Sequence, residues 1–208
     1  FFIKNIICRI AVPFFFVSSS FFIRKGMQMR SEYLKEYFLH LINSYVVWSI
    51  LFLPMGLDWI HQNQEVPIEL LPAALFVGFV HIGTYYHLWY IPAFILSVIF
   101  IVNLLKRFSY QKVFVFSLVL YLFGSLENYY GLLPSGWFKD FFDLVIRLTF
   151  TTRNGLFFGM IFTLIGFFIY DHQEKLSRMG KHSSSFLLLF GSLFVLEGLF
   201  LSHIHRLD

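Results

Sequence analysis

The chain has 208 residues, of which 58% are hydrophobic and only 13% are charged, and its formal net charge is +4. Soluble domains carry about 25% charged residues, so this composition excludes an ordinary soluble domain. The positive charge does not indicate nucleic-acid binding, because Lys and Arg cluster in short segments between apolar stretches, where they orient a membrane protein. The single cysteine, Cys8, excludes an internal disulfide framework.

Apolar stretches near the length of a membrane-crossing helix recur along the chain. They predict six transmembrane helices, at residues 1–23, 33–55, 86–105, 110–130, 148–170 and 184–202. The intervening stretch "IELLPAALFVGFVHIG", at about 16 residues, is short for a span and predicts an interfacial or re-entrant helix. The predicted fold is therefore an all-α integral membrane protein, a polytopic helix bundle that forms one domain over 1–208 and lies in the plasma membrane.

The charged segments predict the orientation of this bundle. Segments 24–35, 106–112 and 175–181 are basic, whereas "GLDWIHQNQEVPIE" has three acidic residues and no Lys or Arg. Basic segments stay on the cytoplasmic side, so we expect the first, third and fifth spans to begin outside. The chain also begins without Met and inside an apolar stretch, and we expect it to be an internal piece of a longer protein.

Five ionisable residues from five predicted spans fall in the outer part of the membrane, where a charge is costly. They are Arg9, His87, Glu127, Arg153 and Glu197. A common depth and groups of both signs predict one polar cavity that opens outward.

Each of these residues also has a simpler interpretation. Arg9 can extend to the headgroups, and His87 sits in "YYHLWY", a pattern typical of an interfacial aromatic belt. Glu127 is close to the end of its span and Arg153 to the start of its own, so both can reach water. Glu197 has no charged neighbour within five residues and needs a partner.

Three motifs resemble integral membrane acyltransferases of the acyltransferase-3 family. "RIAVPFFFVSSSFF" is similar to the family's second-helix motif, in which Val-Pro-Phe-Phe follows an Arg and precedes Ser-Gly. "YYHLWYIPA" resembles a His-Leu-Trp-Tyr/Phe motif, and "TTRNGLFFG" resembles an Arg-Asn-x-Leu-Phe-x-Gly segment. Together with "ENYYG", these motifs look most like the membrane domain of vancomycin-resistance serine racemases. Ser19 matches the motif serine, but Ser20 replaces the usual glycine.

The resemblance implies about ten membrane helices, so a first helix and further C-terminal helices would lie outside this chain. It implies a bacterial enzyme that moves an acyl group, often acetyl, from a cytoplasmic donor such as acetyl-CoA to a hydroxyl of a cell-envelope sugar or glycan. No metal is expected. A histidine on the first helix, considered essential in many members, would precede Phe1.

The resemblance also suggests a role for each site residue. His87 is a candidate base or an acceptor-orienting group, since acyl transfer to a hydroxyl needs a base and a positive group for the oxyanion. Arg9 and Arg153 would hold the donor's anionic groups or the oxyanion. The candidates for substrate binding are Glu197, Glu127, Ser19 and Trp89.

Two other functions stay open. One is a substrate-uptake or substrate-binding domain without acyl transfer, like the membrane domain of serine racemases. The other is a non-catalytic structural remnant. Turnover of an acyl donor would separate the enzyme from both, and accumulation of an amino acid would support the uptake domain.

Overall fold

A computed structural model describes residues 8–63, 79, 86–133, 135–149, 151–178, 192 and 196. These residues form seven α-helices and no strand. The helices are α1 (Cys8–Met29), α2 (Tyr33–Asn63), α3 (Tyr90–Leu105), α4 (Tyr110–Ser125), α5 (Trp137–Thr149), α6 (Met160–Asp171) and α7 (Gln173–Arg178). Short 3₁₀ turns lie at Tyr86–Trp89 and Leu126–Leu132, and a π turn, Gly155–Gly159, leads into α6.

Three helical segments are long and apolar enough to cross a membrane: Ile10–Met29, Tyr33–Asp58 and Tyr110–Gly131. Two shorter apolar helices, Tyr90–Leu105 and Gly155–Asp171, correspond to the predicted third and fifth spans. The predicted sixth span lies outside the described residues except for Ser192 and Leu196, and the predicted re-entrant stretch except for Phe79. The all-helical membrane character is confirmed within the described residues, and the number of six spans stays a prediction.

Two segments that the sequence suggested were loops are helical. α2 continues past residue 55 to Asn63, through Pro54, and its 31 residues reach about 46 Å. Residues 137–149, within a segment of mixed charge, form α5. Both were missed because charged residues interrupt the apolar pattern, although a helix tolerates charges on a face directed away from the bundle.

The core is a bundle in which α1, α3, α4 and α6 meet. Their fully buried side chains include Phe16 of α1, Phe94 of α3, Val113 of α4 and Phe167 of α6. Phe16 packs edge to face on Phe94, with ring centroids 5.4 Å apart. α2 joins through a smaller apolar cluster around Tyr45.

Glycines let the π turn and α6 lie very close to α3 and α1. A Cβ atom at Gly155 would lie 2.3 Å from the Ala93 carbonyl oxygen, and one at Gly166 would lie 2.4 Å from the Val17 carbonyl oxygen. Ser20 lies at the second of these approaches. The close packing expected from a Ser-Gly motif on α1 is therefore present, but the glycine that permits it is on α6.

An ion-pair network joins α1, α4 and α6 at the end of the bundle that carries the basic segments, which we call the basic end. The Arg24 guanidinium donates to both carboxylate oxygens of Asp171, over 2.8 to 3.1 Å. Gln28 donates to the same carboxylate at 3.1 Å. The Tyr110 hydroxyl donates to it as well. The Arg24 guanidinium also covers the ring of Phe167. This network satisfies a carboxylate that ends an apolar helix.

A cysteine-labelling experiment tests the orientation. In a Cys8→Ser background, Ser135→Cys should react with an impermeant thiol reagent from outside, because this exposed residue follows the segment that runs away from the basic end. Ser177→Cys, exposed on α7, should react only after the membrane is opened. Reaction of both cysteines in sealed cells would contradict the predicted topology.

The close approach at Gly155 predicts a packing defect on substitution. Gly155→Ala should lower the free energy of unfolding by about 1–3 kcal/mol, the usual cost of overpacking, because its Cβ meets backbone atoms of α3 that cannot move aside. Gly131→Ala is the matched control, since no atom lies within 4 Å of a Cβ there. Melting of the detergent-solubilised variants measures both, and equal midpoints would refute the close contact.

Candidate functional site

A polar cavity of about 280 Å³ lies at the end of the bundle opposite the basic end. α1, α4, the two 3₁₀ turns and the segment before α6 contribute to its wall. The lining residues are Val12, Pro13, Trp89, Tyr121, Gly124, Ser125, Glu127, Asn128, Thr152, Arg153, Phe157 and Phe158. Three of the predicted site residues, Trp89, Glu127 and Arg153, therefore share one cavity.

The segment that carries Arg153 is fixed by the side chain of Asn154. Its Oδ1 accepts hydrogen bonds from the backbone N–H groups of Leu156 and Phe157, which caps the π turn. Its Nδ2 donates to the Thr151 carbonyl oxygen at 2.9 Å. The Asn154 carbonyl oxygen then accepts from Gly159, five residues on, which makes the turn a π turn.

Glu127 holds the same segment from the side of α4. Its carboxylate accepts from the backbone N–H of Thr152 at 2.6 Å and from the Thr151 hydroxyl at 3.1 Å. The Thr152 hydroxyl lies 2.5 Å from the Glu127 carboxylate and 2.7 Å from the Gly124 carbonyl oxygen. These donors satisfy both carboxylate oxygens, so in this structure Glu127 positions the loop. Its predicted role in substrate binding stays a prediction.

The Arg153 side chain makes few contacts with the described residues. One guanidinium nitrogen lies 3.4 Å from the Asn128 Oδ1, a long contact, and the side chain is exposed at the cavity wall. The described residues give Arg153 no ion pair. A guanidinium fixed at its backbone and unpaired at its tip can bind a carboxylate, a phosphate or a developing oxyanion.

Aromatic side chains form the apolar part of the wall. Trp89 contacts Phe158 edge to face, with ring centroids 5.6 Å apart, and Tyr121 lies on the other side of Phe158 at 6.2 Å. Trp89 directly precedes α3. Rings beside a cation suit an organic ligand with an anionic group better than an inorganic ion.

Arg9 and His87 belong to backbone segments that reach the cavity. Arg9 lies on α1 one turn before Pro13, and His87 lies two residues before Trp89 in the 3₁₀ turn. Their side chains lie outside the described part of the structure. The roles predicted for both stay predictions.

Ser19 does not line the cavity. Ser19 is six residues beyond Pro13 on α1, and its side chain meets that of Tyr37 on α2. Glu197 lies outside the described residues. The structure thus groups Trp89, Glu127 and Arg153, leaves Ser19 at a helix contact, and adds nothing on Glu197.

Sequence reasoning missed Thr151, Thr152, Asn128 and Tyr121. Asn154 caps the π turn, and Thr151 and Thr152 donate hydrogen bonds to Glu127. No sequence signal joins Glu127 to a segment about 25 residues later, because the helix between them sets their distance. Among the described residues, no three His, Cys, Asp or Glu side chains form a group that could hold a metal.

A helix bundle with segments of membrane length and a cavity with Arg153 in its wall defines a helical membrane protein. The chain belongs to the acyltransferase-3 family, whose model, described as an acyltransferase domain, matches residues 1–206. This confirms the family that the motifs indicated. No solved structure matches the chain significantly.

Curated relatives of the chain are named as racemases. An amino-acid racemase from Enterococcus faecalis is 31% identical over 95% of this chain and 28% of its own length. A serine/alanine racemase from Enterococcus gallinarum is 30% identical over 88% of this chain and 26% of its own length. The chain thus spans about a quarter of the relatives it matches.

Removing the charge of Glu127 tests its positioning role. Glu127→Gln should lower the free energy of unfolding by about 1–3 kcal/mol, because an amide offers one acceptor and turns its own N–H groups toward the donors of Thr151 and Thr152. Asp140→Asn removes an exposed carboxylate of α5 and is the control. Thermal melting in detergent gives the comparison, and the positioning role is wrong if the two variants melt alike.

Proposed function

We propose that the chain is the membrane part of an acyltransferase that moves an acyl group, in the first instance acetyl, from a cytoplasmic thioester donor such as acetyl-CoA to a hydroxyl of an acceptor on the other side of the membrane. The observation that supports this most is the family match over residues 1–206, joined to a cavity in which Arg153 has no ion-pair partner among the described residues. The acceptor class is a cell-envelope sugar or another small hydroxylated molecule.

The reaction forms one C–O bond and breaks one C–S bond. The acceptor oxygen attacks the thioester carbonyl carbon, its proton passes to a base, and the thiolate leaves and takes up a proton. Charge collects on the carbonyl oxygen, so a fixed cation near that oxygen lowers the barrier. In the proposal Arg153 is this cation, and His87, close in sequence to Trp89, is the base or orients the acceptor.

Arg9 has a separate role in the proposal. It lies one turn from the part of α1 that lines the cavity, and we assign it to the anionic groups of the donor or to the oxyanion together with Arg153. Glu127 acts through Arg153, since its hydrogen bonds go to the preceding threonines. Trp89 supplies an apolar wall for the acceptor.

A second candidate function is a substrate-uptake or substrate-binding domain without acyl transfer. It is favoured by the relatives named as racemases, one of which aligns with 95% of this chain. An amino acid carries a carboxylate that the Arg153 guanidinium could bind in a bidentate manner. The same cavity therefore serves both hypotheses, and only the fate of the ligand separates them.

Two assays on membranes that contain the full protein distinguish these functions. Labelled acetyl-CoA should transfer its acetyl group to an envelope acceptor if the chain is an acyltransferase. Uptake of labelled serine, with no acetyl transfer, would refute the enzyme and support the second function. Membranes with a protein of unrelated fold at equal abundance give the background for both assays.

The Arg153→Lys variant tests the guanidinium itself. Lysine keeps the charge but not the planar fork, so one charge-assisted hydrogen bond is lost, about 1.5–3 kcal/mol, or about ten- to a hundredfold in rate. Expression and melting should stay normal, because the described contacts of this side chain contribute little to the fold. Arg107→Lys, exposed at the basic end, is the control.

Arg9→Lys completes this test. A similar loss of transfer would support a role in the site, whereas wild-type transfer would leave Arg9 as a residue that only extends to the headgroups. Wild-type transfer by Arg153→Lys would remove the oxyanion role from Arg153.

A further inference from the structure

The helix α5 has three distinct faces. At 100° per residue, Phe138, Phe142 and Val145 fall in one sector, the charged residues in a second and large apolar residues in a third. The charged residues are Lys139, Asp140, Asp143 and Arg147, and the apolar residues of the third sector are Trp137, Phe141, Leu144 and Leu148. The centres of the three sectors are separated by about 100° to 150°.

The first face is the one that packs on the bundle. Phe142 is fully buried, and its ring centroid lies 5.2 Å from that of Phe123 on α4. Phe138 contacts the same ring at 6.5 Å. This face therefore forms the buried contact of α5 with α4.

The second face is polar and electrically balanced. Asp143 accepts a hydrogen bond from the Tyr130 hydroxyl at 2.8 Å, and the Lys139 ammonium lies over the Tyr130 ring at 4.7 Å. Two basic and two acidic residues give this face no net charge. Such a face suits water and gives no preference for anionic lipid.

The third face is apolar and uncovered. Trp137 is 80% exposed and Leu148 is 70% exposed, and Phe141 and Leu144 between them are about half exposed. These four residues follow the spacing i, i+4, i+7, i+11, which makes one stripe along the whole helix. Of these four, Phe141 also contacts the Phe123 ring on α4, with ring centroids 6.1 Å apart, and it is still about half exposed.

The stripe begins beside an exposed apolar surface of α4, because Phe141 contacts Phe123. Phe123, which holds α5, directly follows Leu122, and Leu122 lies with Val115 and Val119 on the exposed apolar side of a segment long enough to cross the membrane. With 13 residues, α5 is about 20 Å long, too short to cross a bilayer itself. One face of α5 packs on the bundle, one is polar and one is apolar and exposed. A short helix with these three faces at the end of a membrane-length segment fits the boundary between headgroups and acyl chains.

We propose that α5 lies in the membrane interface at the end opposite the basic end and binds the bilayer through Trp137, Phe141, Leu144 and Leu148. The partner is the headgroup and acyl-chain boundary of that leaflet, and because the charges of α5 cancel, a zwitterionic lipid is sufficient. Trp137 at the start of the helix is an interfacial anchor. The proposal does not depend on the reaction that the protein catalyses.

Paired spin labels in the full protein, reconstituted in phosphatidylcholine vesicles, test this. In a Cys8→Ser background, labels at Leu144→Cys and Leu148→Cys should collide more with oxygen than with a water-soluble nickel chelate. Asp140→Cys and Arg147→Cys, on the charged face, should show the reverse. The ratio of oxygen to nickel-chelate collisions should differ several-fold between the labels on the two faces. All four positions are exposed, so the labels should not disturb folding.

Three outcomes would overturn the proposal. Equal access of the nickel chelate to the labels on both faces would show that the stripe lies in water. Protection of the stripe labels from both reagents would mean that protein, another segment or a second copy, covers it. A contrast that appears only after phosphatidylglycerol is added would show that anionic lipid, and not the apolar stripe, drives binding.

Discussion

The close approach of α6 and its π turn to α1 and α3 is the constraint on which the rest of the structure depends. Helices in a bilayer gain nothing from leaving lipid for each other's apolar faces, so they associate where small residues let backbones touch. Gly155 and Gly166 provide this contact against the Ala93 and Val17 carbonyl oxygens. With these contacts made, the segment before the π turn has one position relative to α1, α3 and α4.

Both ends of this bundle carry a carboxylate whose acceptors are filled. At the basic end, Asp171 receives donors from α1 and α4. At the opposite end, Glu127 receives donors from Thr151 and Thr152. A buried acceptor without donors would destabilise a membrane protein, so these two sites hold the helices in register. The difference between the ends is the cation: among the described residues, Arg24 forms an ion pair with its neighbouring carboxylate and Arg153 forms none.

Much of the fold follows from local pattern. Apolar stretches predicted spans at 1–23, 33–55, 86–105 and 110–130, and helices Cys8–Met29, Tyr33–Asn63, Tyr90–Leu105 and Tyr110–Ser125 lie there. This is possible because helix formation in lipid needs only hydrophobic length and internal hydrogen bonds. The same pattern missed α5, because its charged residues interrupt the apolar run. The fact that these charges share one sector of the helix does not appear in a count of apolar residues. The end of α2 was missed for a similar reason, since Asp58 interrupts the apolar run without ending the helix.

The sequence by itself determined the membrane class and the family, because both depend on composition and motif order. It also predicted a common depth for Arg9, His87, Glu127, Arg153 and Glu197, because depth depends on position along a helix. Only the tertiary structure decided which of these groups have hydrogen-bond or ion-pair partners within the fold. Glu127 is taken up by Thr151 and Thr152, and Arg153 is free of ion pairs within the described residues, because helix packing brings α4 to a segment distant in sequence. The depth of a residue in the membrane follows from its position on its own helix, whereas its hydrogen-bond or ion-pair partner depends on how two segments pack.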